Sequence, residues 1–214
     1  MYIQKTNKEE TMEIKEPILK EKLEPTKKIE EYTYNKKIDN ITLKGYYPYT
    51  EIKDTLIESV NLENIIFQGL DITNTIIKLS NLSNQQFTDH SFQQIIFENC
   101  NLVGINFTDS YLENVIFKNC NISYSNFSNT NLKNILFENC NLKESTFNQV
   151  KWKNLNFNDS DLTEIELYKT TLKDLDISTC TIKNIKLDIT KLKGLIVNYE
   201  QALSLSLLLG IKIK

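Results

Sequence analysis

A large apolar residue recurs at every fifth position from Leu62 to Leu192, 27 times without interruption. We call these residues the central positions. An α-helix repeats every 3.6 residues and a strand every 2, so neither accounts for a period of five. A chain that turns a corner after every five residues does account for it, because each side then points one large side chain into a shared core.

A second period of 20 residues fixes the number of corners. The stretch "NVIFKNCNISYSNFSNTNLK" from Asn114 matches "NILFENCNLKESTFNQVKWK" from Asn134. Four five-residue sides therefore complete one coil, and stacked coils pair backbone to backbone at about 4.8 Å, as strands do. The 27 positions, at four per coil, make between six and seven coils, which predicts an all-β rod about 30 Å long.

The residues two places before the central positions form a second inward set, in which small residues alternate with large ones, as a narrow core requires. All four cysteines fall in one column of this set: Cys100, Cys120, Cys140 and Cys180. A column of residues one coil apart cannot surround a zinc ion tetrahedrally. Disulfides between neighbouring coils are sterically conceivable, but Ser80 and Ser160 occupy the same column. We therefore predict structural thiols and no metal site.

Other chemistry-bearing patterns are absent from the sequence. His90, the only histidine, falls at an inward position that usually holds a small residue. With Gln85 nearby, it predicts a local distortion of the coil. The sequence has no glycine-rich phosphate loop, nucleophile elbow or pair of histidines. We therefore predict a protein that is not an enzyme, with no catalytic residue and no cofactor.

Composition narrows the environment and the partners. The N-terminus lacks the apolar segment of a signal peptide, and no run of 18 apolar residues exists to cross a membrane. We therefore expect a cytoplasmic protein with reduced thiols and no membrane contact. The net charge is −3 and there is no arginine, which argues against direct nucleic-acid binding.

The C-terminal segment predicts a cap. Asn198 and Gln201 have the spacing of a capping box, so we predict a short helix over residues 202–209, ended by Gly210, with "IKIK" as an edge strand. The helix has more apolar residues than one face can bury. The segment is therefore either a cap alone or, as the surplus of apolar residues favours, a cap that also forms a homodimer contact. The candidate dimer contacts are Leu203, Leu205, Leu207, Leu208 and Ile211.

The chain thus divides into three predicted parts. Residues 1–44 form a charged N-terminal extension, partly disordered or docked on the rod. Residues 45–197 form the β-helix, and residues 198–214 form the cap and dimer contact. One outward column of the rod is apolar: Ile76, Ile96, Ile116 and Leu136. We expect this column to be exposed, or to be covered by the extension or by a partner.

The five-residue units resemble the pentapeptide-repeat family. "CNLVG", "SNFSN", "TNLKN" and "SDLTE" are good copies of its motif, and the resemblance covers about residues 61–193. It implies a right-handed quadrilateral β-helix. The tail "QALSLSLLLGIKI" is similar to that of the Qnr quinolone-resistance proteins, whose C-terminal elements dimerise.

The resemblance implies one specific function. Qnr-like proteins are thought to mimic DNA and bind DNA gyrase and topoisomerase IV, which protects these enzymes from quinolones. Residues 56–146 hold nine acids against four lysines, which suits such a mimic. One outward column, however, alternates glutamate and lysine from Glu58 to Glu138, unlike a row of phosphates. The candidate partner surface is Ile76, Ile96, Glu98, Asp109, Glu113, Ile116, Leu136 and Glu138.

A second hypothesis fits the same features. The chain is then a protein-interaction scaffold with an unidentified cytoplasmic partner, which it binds through the apolar column, its lysines or the N-terminal extension.

Overall fold

From Asn74 to Asp174, each side of the coil ends at a residue whose backbone is left-handed. On one corner these are Asn99, Asn119 and Asn139, with φ of 53°, 53° and 51°. Asparagine is among the few residues that adopt this conformation readily. A left-handed residue at every fifth position turns the chain by one corner each time, so the five-residue period becomes a four-sided coil.

The computed structural model describes residues 13–212, which form a parallel β-solenoid of about six coils with a short helix at its C-terminal end. The strands are β1 (Glu24–Thr26), β2 (Tyr32–Tyr34), β3 (Lys36–Lys53), β4 (Leu56–Lys78), β5 (Ser91–Glu98), β6 (Tyr111–Lys118), β7 (Asn131–Glu138) and β8 (Lys151–Asn158). A 3-10 turn spans Ile189–Lys191 and helix α1 spans Tyr199–Leu208. From β4 to β8 each strand pairs in parallel with the next one, and each residue lies opposite the residue 20 places further along the chain.

The core is the interior of this tube. The central phenylalanines stack on one another from coil to coil: the rings of Phe97 and Phe117 are 5.0 Å apart and nearly parallel, and those of Phe117 and Phe137 are 4.7 Å apart. All three are fully buried. The predicted central positions therefore fill the core, and stacked aromatic rings add to the stabilisation from burial.

The solenoid begins earlier than the predicted boundary at residue 45. β3 pairs with β4 from Lys37 onward, and β1 and β2 pair with β3. The five-residue pattern does not reveal the first coils, because their register is irregular. Glu24 pairs with Lys36, and the register shifts between Leu43 and Gly45. Of the predicted extension, residues 1–12 lie outside the described residues.

The C-terminal cap has the predicted capping box, but helix α1 begins three residues before the predicted residue 202 and ends one residue before the predicted residue 209. The Asn198 side chain accepts from the backbone N–H of Gln201, and the Gln201 side chain accepts from the backbone N–H of Asn198. Gly210 follows the helix with φ of 74°. The predicted edge strand is not found at residues 211–212, and residues 213–214 lie outside the described part. No helix within residues 13–212 has the length and apolar character needed to span a membrane.

The predicted distortion at His90 is wrong. Ser91 pairs with Asp71 on one side and with Tyr111 on the other, in the same register as every later coil. The next residue in its column is the small Ser110, whose hydroxyl accepts from the His90 backbone N–H at 3.0 Å.

Candidate functional site

The apolar column lies on one face of the rod, which we call the apolar face. Ile76, Ile96, Ile116 and Leu136 are paired in register on successive coils. The expectation of an exposed column is not met. Ile116 is only 8 % exposed, and the other three are half-buried.

A segment near the N-terminus lies beside this face. We call residues 13–20 the arm. The carboxamide of Asn74 accepts from the backbone N–H of Ile18 at 2.7 Å and donates to the Ile18 carbonyl at 2.9 Å. The Asn114 carboxamide accepts from the backbone N–H of Lys15 at 3.3 Å. Asn74 and Asn114 stand two residues before Ile76 and Ile116, so the arm runs along the edge of the apolar face.

The charged residues of the apolar face largely neutralise one another. Lys78 pairs with Glu58 at 3.1 Å and Lys118 pairs with Glu138 at 3.2 Å. Hydrogen bonds from Lys78, and then from Lys37, hold the pKa of Glu58 below its usual range. Such pairs stabilise the stack modestly, but they do not leave a row of negative charge.

Glu113 and Asp109 belong to other parts of the surface. Glu113 lies on the neighbouring face, where it pairs with Lys133 at 2.5 Å and accepts from the Tyr111 hydroxyl. That hydrogen bond raises the pKa of Tyr111 to about 12. Asp109 occupies a corner with φ of 61°. The eight predicted surface residues therefore do not form one patch: the structure brings six of them together on the apolar face.

Asp109 is instead part of an acidic edge, which we define as Glu51, Asp71, Asp89 and Asp109. Glu51 is paired in register with Asp71. Asp71, Asp89 and Asp109 line one shallow depression of about 380 Å³. Burial, and then the negative charge of Glu51, raise the pKa of Asp71. Within residues 13–212 none of these four carboxylates forms an ion pair with a lysine, so negative charge accumulates along four successive coils.

The thiol column lies in the core of the rod. Cys100, Cys120 and Cys140 are each 3 % exposed, and all four cysteines are free. The Cys120 thiol donates to the carbonyl of Phe97 on the preceding coil at 3.4 Å. The neighbouring Cys120 thiol, together with burial, raises the pKa of Cys100. In the described part of the chain, no three His, Cys, Asp or Glu side chains are grouped so that they could hold a metal ion.

The C-terminal helix exposes most of the predicted dimer contacts. Leu207, Leu208 and Ile211 are about half exposed, and Leu203 is 37 % exposed. Leu205 is a correction, because it is 7 % exposed and packs in the core of the last coils. Leu209, which is not among the predicted contacts, is 52 % exposed. Between α1 and the last coil lies a groove of about 550 Å³.

The corner asparagines were missed by the sequence analysis. Asn114, Asn134 and Asn154 are joined by side-chain hydrogen bonds of 2.9 and 2.8 Å, from each amide to the oxygen on the preceding coil. Asn114 is 8 % exposed. The signal was available, because asparagine recurs two residues after the central positions where left-handed backbone is needed.

Comparison with known proteins finds a family model that matches part of the repeat. A family model described as "pentapeptide repeat region" matches residues 90–167. No curated protein matches the chain. Among solved structures, trypsin-treated QnrB1, a plasmid-mediated fluoroquinolone resistance protein, is 20 % identical, with a TM-score of 0.40, over 86 % of this chain and 97 % of its own.

A second solved structure is HetL of the cyanobacterium Nostoc sp. strain PCC 7120, a pentapeptide repeat protein involved in heterocyst differentiation regulation. It is 12 % identical, with a TM-score of 0.45, over 77 % of this chain and 89 % of its own. The family match over residues 90–167 agrees with the 20-residue register of the coils there, so this segment is similar to pentapeptide repeat regions.

Proposed function

We propose that this chain is a non-catalytic binding protein that acts through the outer surface of its rod. Its inward side chains are used to fill the core, and the thiols among them are buried and hydrogen-bonded to backbone carbonyls. The side chains left to meet another molecule are those on the faces, the edges and the helix α1.

The most specific candidate function is that of a Qnr-like DNA mimic, which binds DNA gyrase and topoisomerase IV and protects them from quinolones. The observation that carries it is the acidic edge. Within residues 13–212 these four carboxylates pair with no lysine; they occupy two neighbouring columns on successive coils and so form a band of negative charge. DNA-binding surfaces of enzymes are positively charged, and a band of carboxylates is complementary to them.

A gyrase supercoiling assay tests this candidate. The protein is titrated with and without a quinolone, and we expect supercoiling to be inhibited or protected at micromolar concentrations. The variant Asp71→Asn, Asp89→Asn, Asp109→Asn should lose the effect. The matched control is Glu58→Gln, Glu138→Gln, which removes carboxylates that lysines already neutralise. No effect of the wild-type protein at micromolar concentration would reject the topoisomerase partner.

A second candidate is an interaction scaffold with a different cytoplasmic partner. The apolar face supports it, because most of its charges are paired. Ile76, Ile96 and Leu136 are only half-buried, which leaves part of each side chain to pack against a protein. A pull-down with the wild-type protein and with an Ile96→Asp variant separates the two candidates. A partner other than a topoisomerase that is lost with Ile96→Asp would favour the scaffold, whereas a partner lost only with the acidic-edge variant would favour the mimic.

We also propose that two chains associate through α1. The exposed apolar side chains of Leu207 and Leu208 line the groove between α1 and the last coil, and Leu209 is also exposed. Apolar surface of this kind is usually covered by a partner. The variant Leu207→Glu, Leu208→Glu should have the mass of one chain in light scattering, and the wild type that of two. Equal masses would refute the dimer.

A further inference from the structure

The corner column next to the apolar face carries an amide on five successive coils: Asn74, Gln94, Asn114, Asn134 and Asn154. We call this column the amide track. Its members are about 4.8 Å apart, the spacing of stacked strands. A peptide backbone carries N–H and C=O groups in pairs, and a carboxamide offers the complementary acceptor and donor.

Asn74 shows how a member of the track binds a peptide backbone. Its Oδ1 accepts from the Ile18 N–H and its Nδ2 donates to the Ile18 C=O, so both backbone groups of one residue are bound by one side chain. The Asp54 carboxylate accepts from the same Nδ2, which holds the amide in this orientation. Neither bond involves the Ile18 side chain, which is 82 % exposed.

The spacing of the two contacts fits an extended peptide. Ile18 is bound at Asn74 and Lys15 at Asn114, which lie two coils apart, or about 10 Å. Three residues of extended chain also cover about 10 Å. Two coils of the track and three residues of an extended peptide therefore have the same length, so a contact can recur at every second coil.

Side chains add selectivity to this backbone contact. Ile14, Pro17 and Leu19 of the arm are partly buried, while Lys15 and Ile18 between them are exposed. The charge of Lys15 also helps to lower the pKa of Glu113, after the larger contributions of Lys133 and Tyr111. A peptide with apolar residues toward the rod and a lysine near Glu113 thus matches the site.

We propose that the amide track is a binding site for extended peptides, that the arm is the ligand it holds in the isolated chain, and that a partner segment of the same pattern binds by displacing the arm. This proposal rests on the proposed function only in so far as the chain binds a partner through the outer surface of its rod. It involves neither the acidic edge nor a topoisomerase, so the gyrase assay and the experiment below can fail separately.

The test uses the full-length chain and a fluorescent peptide with the sequence of residues 13–23. Fluorescence anisotropy measures binding of the peptide to the chain. An arm variant, Ile14→Asp and Leu19→Asp, weakens the competing arm and leaves the track unchanged. We expect the peptide to bind the arm variant at least ten-fold more tightly than the wild type. A scrambled peptide of the same composition should bind at least ten-fold more weakly.

The site is located by adding one substitution to the arm variant. Asn74→Leu should weaken peptide binding about ten-fold, whereas the matched control Asn139→Leu, at an exposed left-handed corner outside the track, should leave it unchanged. Leucine is tolerated in this backbone conformation, since Leu79 adopts it with φ of 52°. Absence of binding to the arm variant, equal binding to the wild type, or binding insensitive to Asn74→Leu would each overturn the proposal.

Discussion

The side-chain amide of Gln201 donates a hydrogen bond of 2.8 Å to the backbone carbonyl of Ile177, which lies on the preceding coil. It donates a second, of 2.7 Å, to the carbonyl of Cys180. Gln201 is 5 % exposed. A solenoid ends in backbone groups with no next coil to pair with, so a buried glutamine on α1 substitutes for part of the missing coil.

Replacement of this glutamine should therefore destabilise the rod from its end. Gln201→Ala leaves two buried carbonyls without a donor and removes half of the capping box, so we expect a loss of about 2–3 kcal/mol in the free energy of unfolding. Urea denaturation measures it. Ser204→Ala, exposed on the same helix, should change stability by less than about 0.5 kcal/mol. Equal effects of the two substitutions would contradict the capping role.

The thiol column should accept serine. Ser160 already occupies it, and its hydroxyl donates to the carbonyls of Asn158 and Phe137 at 2.9 and 3.4 Å. We expect Cys120→Ser to cost less than about 1.5 kcal/mol. Phe117→Ala, in the same coil, should cost about 3–5 kcal/mol because it empties the aromatic stack. Thermal denaturation compares them, and a Cys120→Ser loss as large as that of Phe117→Ala would refute a size-only requirement.

His90 should be replaceable with a gain in stability. Both of its ring nitrogens are buried without a hydrogen-bond partner in the described structure, and a buried unpaired polar group costs about 1–3 kcal/mol. His90→Leu introduces the residue found one coil earlier in the column, at Leu70, and we expect it to raise the free energy of unfolding by about 1–2 kcal/mol.

The matched control for His90 is Gln85→Leu. The Gln85 amide donates to the carbonyls of Leu62 and Ser83, so its removal should bring no gain. A lower stability of His90→Leu than of the wild type, measured by urea denaturation, would show that the imidazole is satisfied in solution.

Two carboxylates should give stability profiles of opposite sign against pH. Burial, then Glu51, raises the pKa of Asp71 above its ordinary 3.8, so ionisation of Asp71 is less favourable in the folded chain and lowers stability as pH rises through its raised pKa. Asp71→Asn should therefore be more stable than the wild type at pH 7, with the difference fading below about pH 3.8.

Glu58 behaves in the reverse way. Lys78, then Lys37, lowers its pKa below the ordinary 4.5, so its contribution is present above that value and is lost as pH falls through the lowered pKa. Glu58→Gln should be less stable than the wild type at pH 7, and the two should converge in acid. Denaturation curves from pH 3 to 7 measure both variants, and profiles of the same sign would contradict the assignment.

The sequence by itself determined the coil. A large apolar residue at every fifth position and a match at 20 residues leave one way to bury all the central side chains, because the period of the pattern is the length of a side. The same argument identified Cys120 as a small filler. The capping box at Asn198 was also readable, since it depends only on residues three apart.

The tertiary structure decided what a local pattern cannot express. The first coils, from Glu24 onward, were missed because their irregular register hides the period. The burial of Leu205 depends on how α1 folds back onto the last coils, and the burial of Ile116 depends on its neighbours in the folded chain. The pairing of Ile18 with Asn74 joins residues 56 positions apart, and no spacing in the sequence predicts a hydrogen bond between an irregular arm and one corner of a coil.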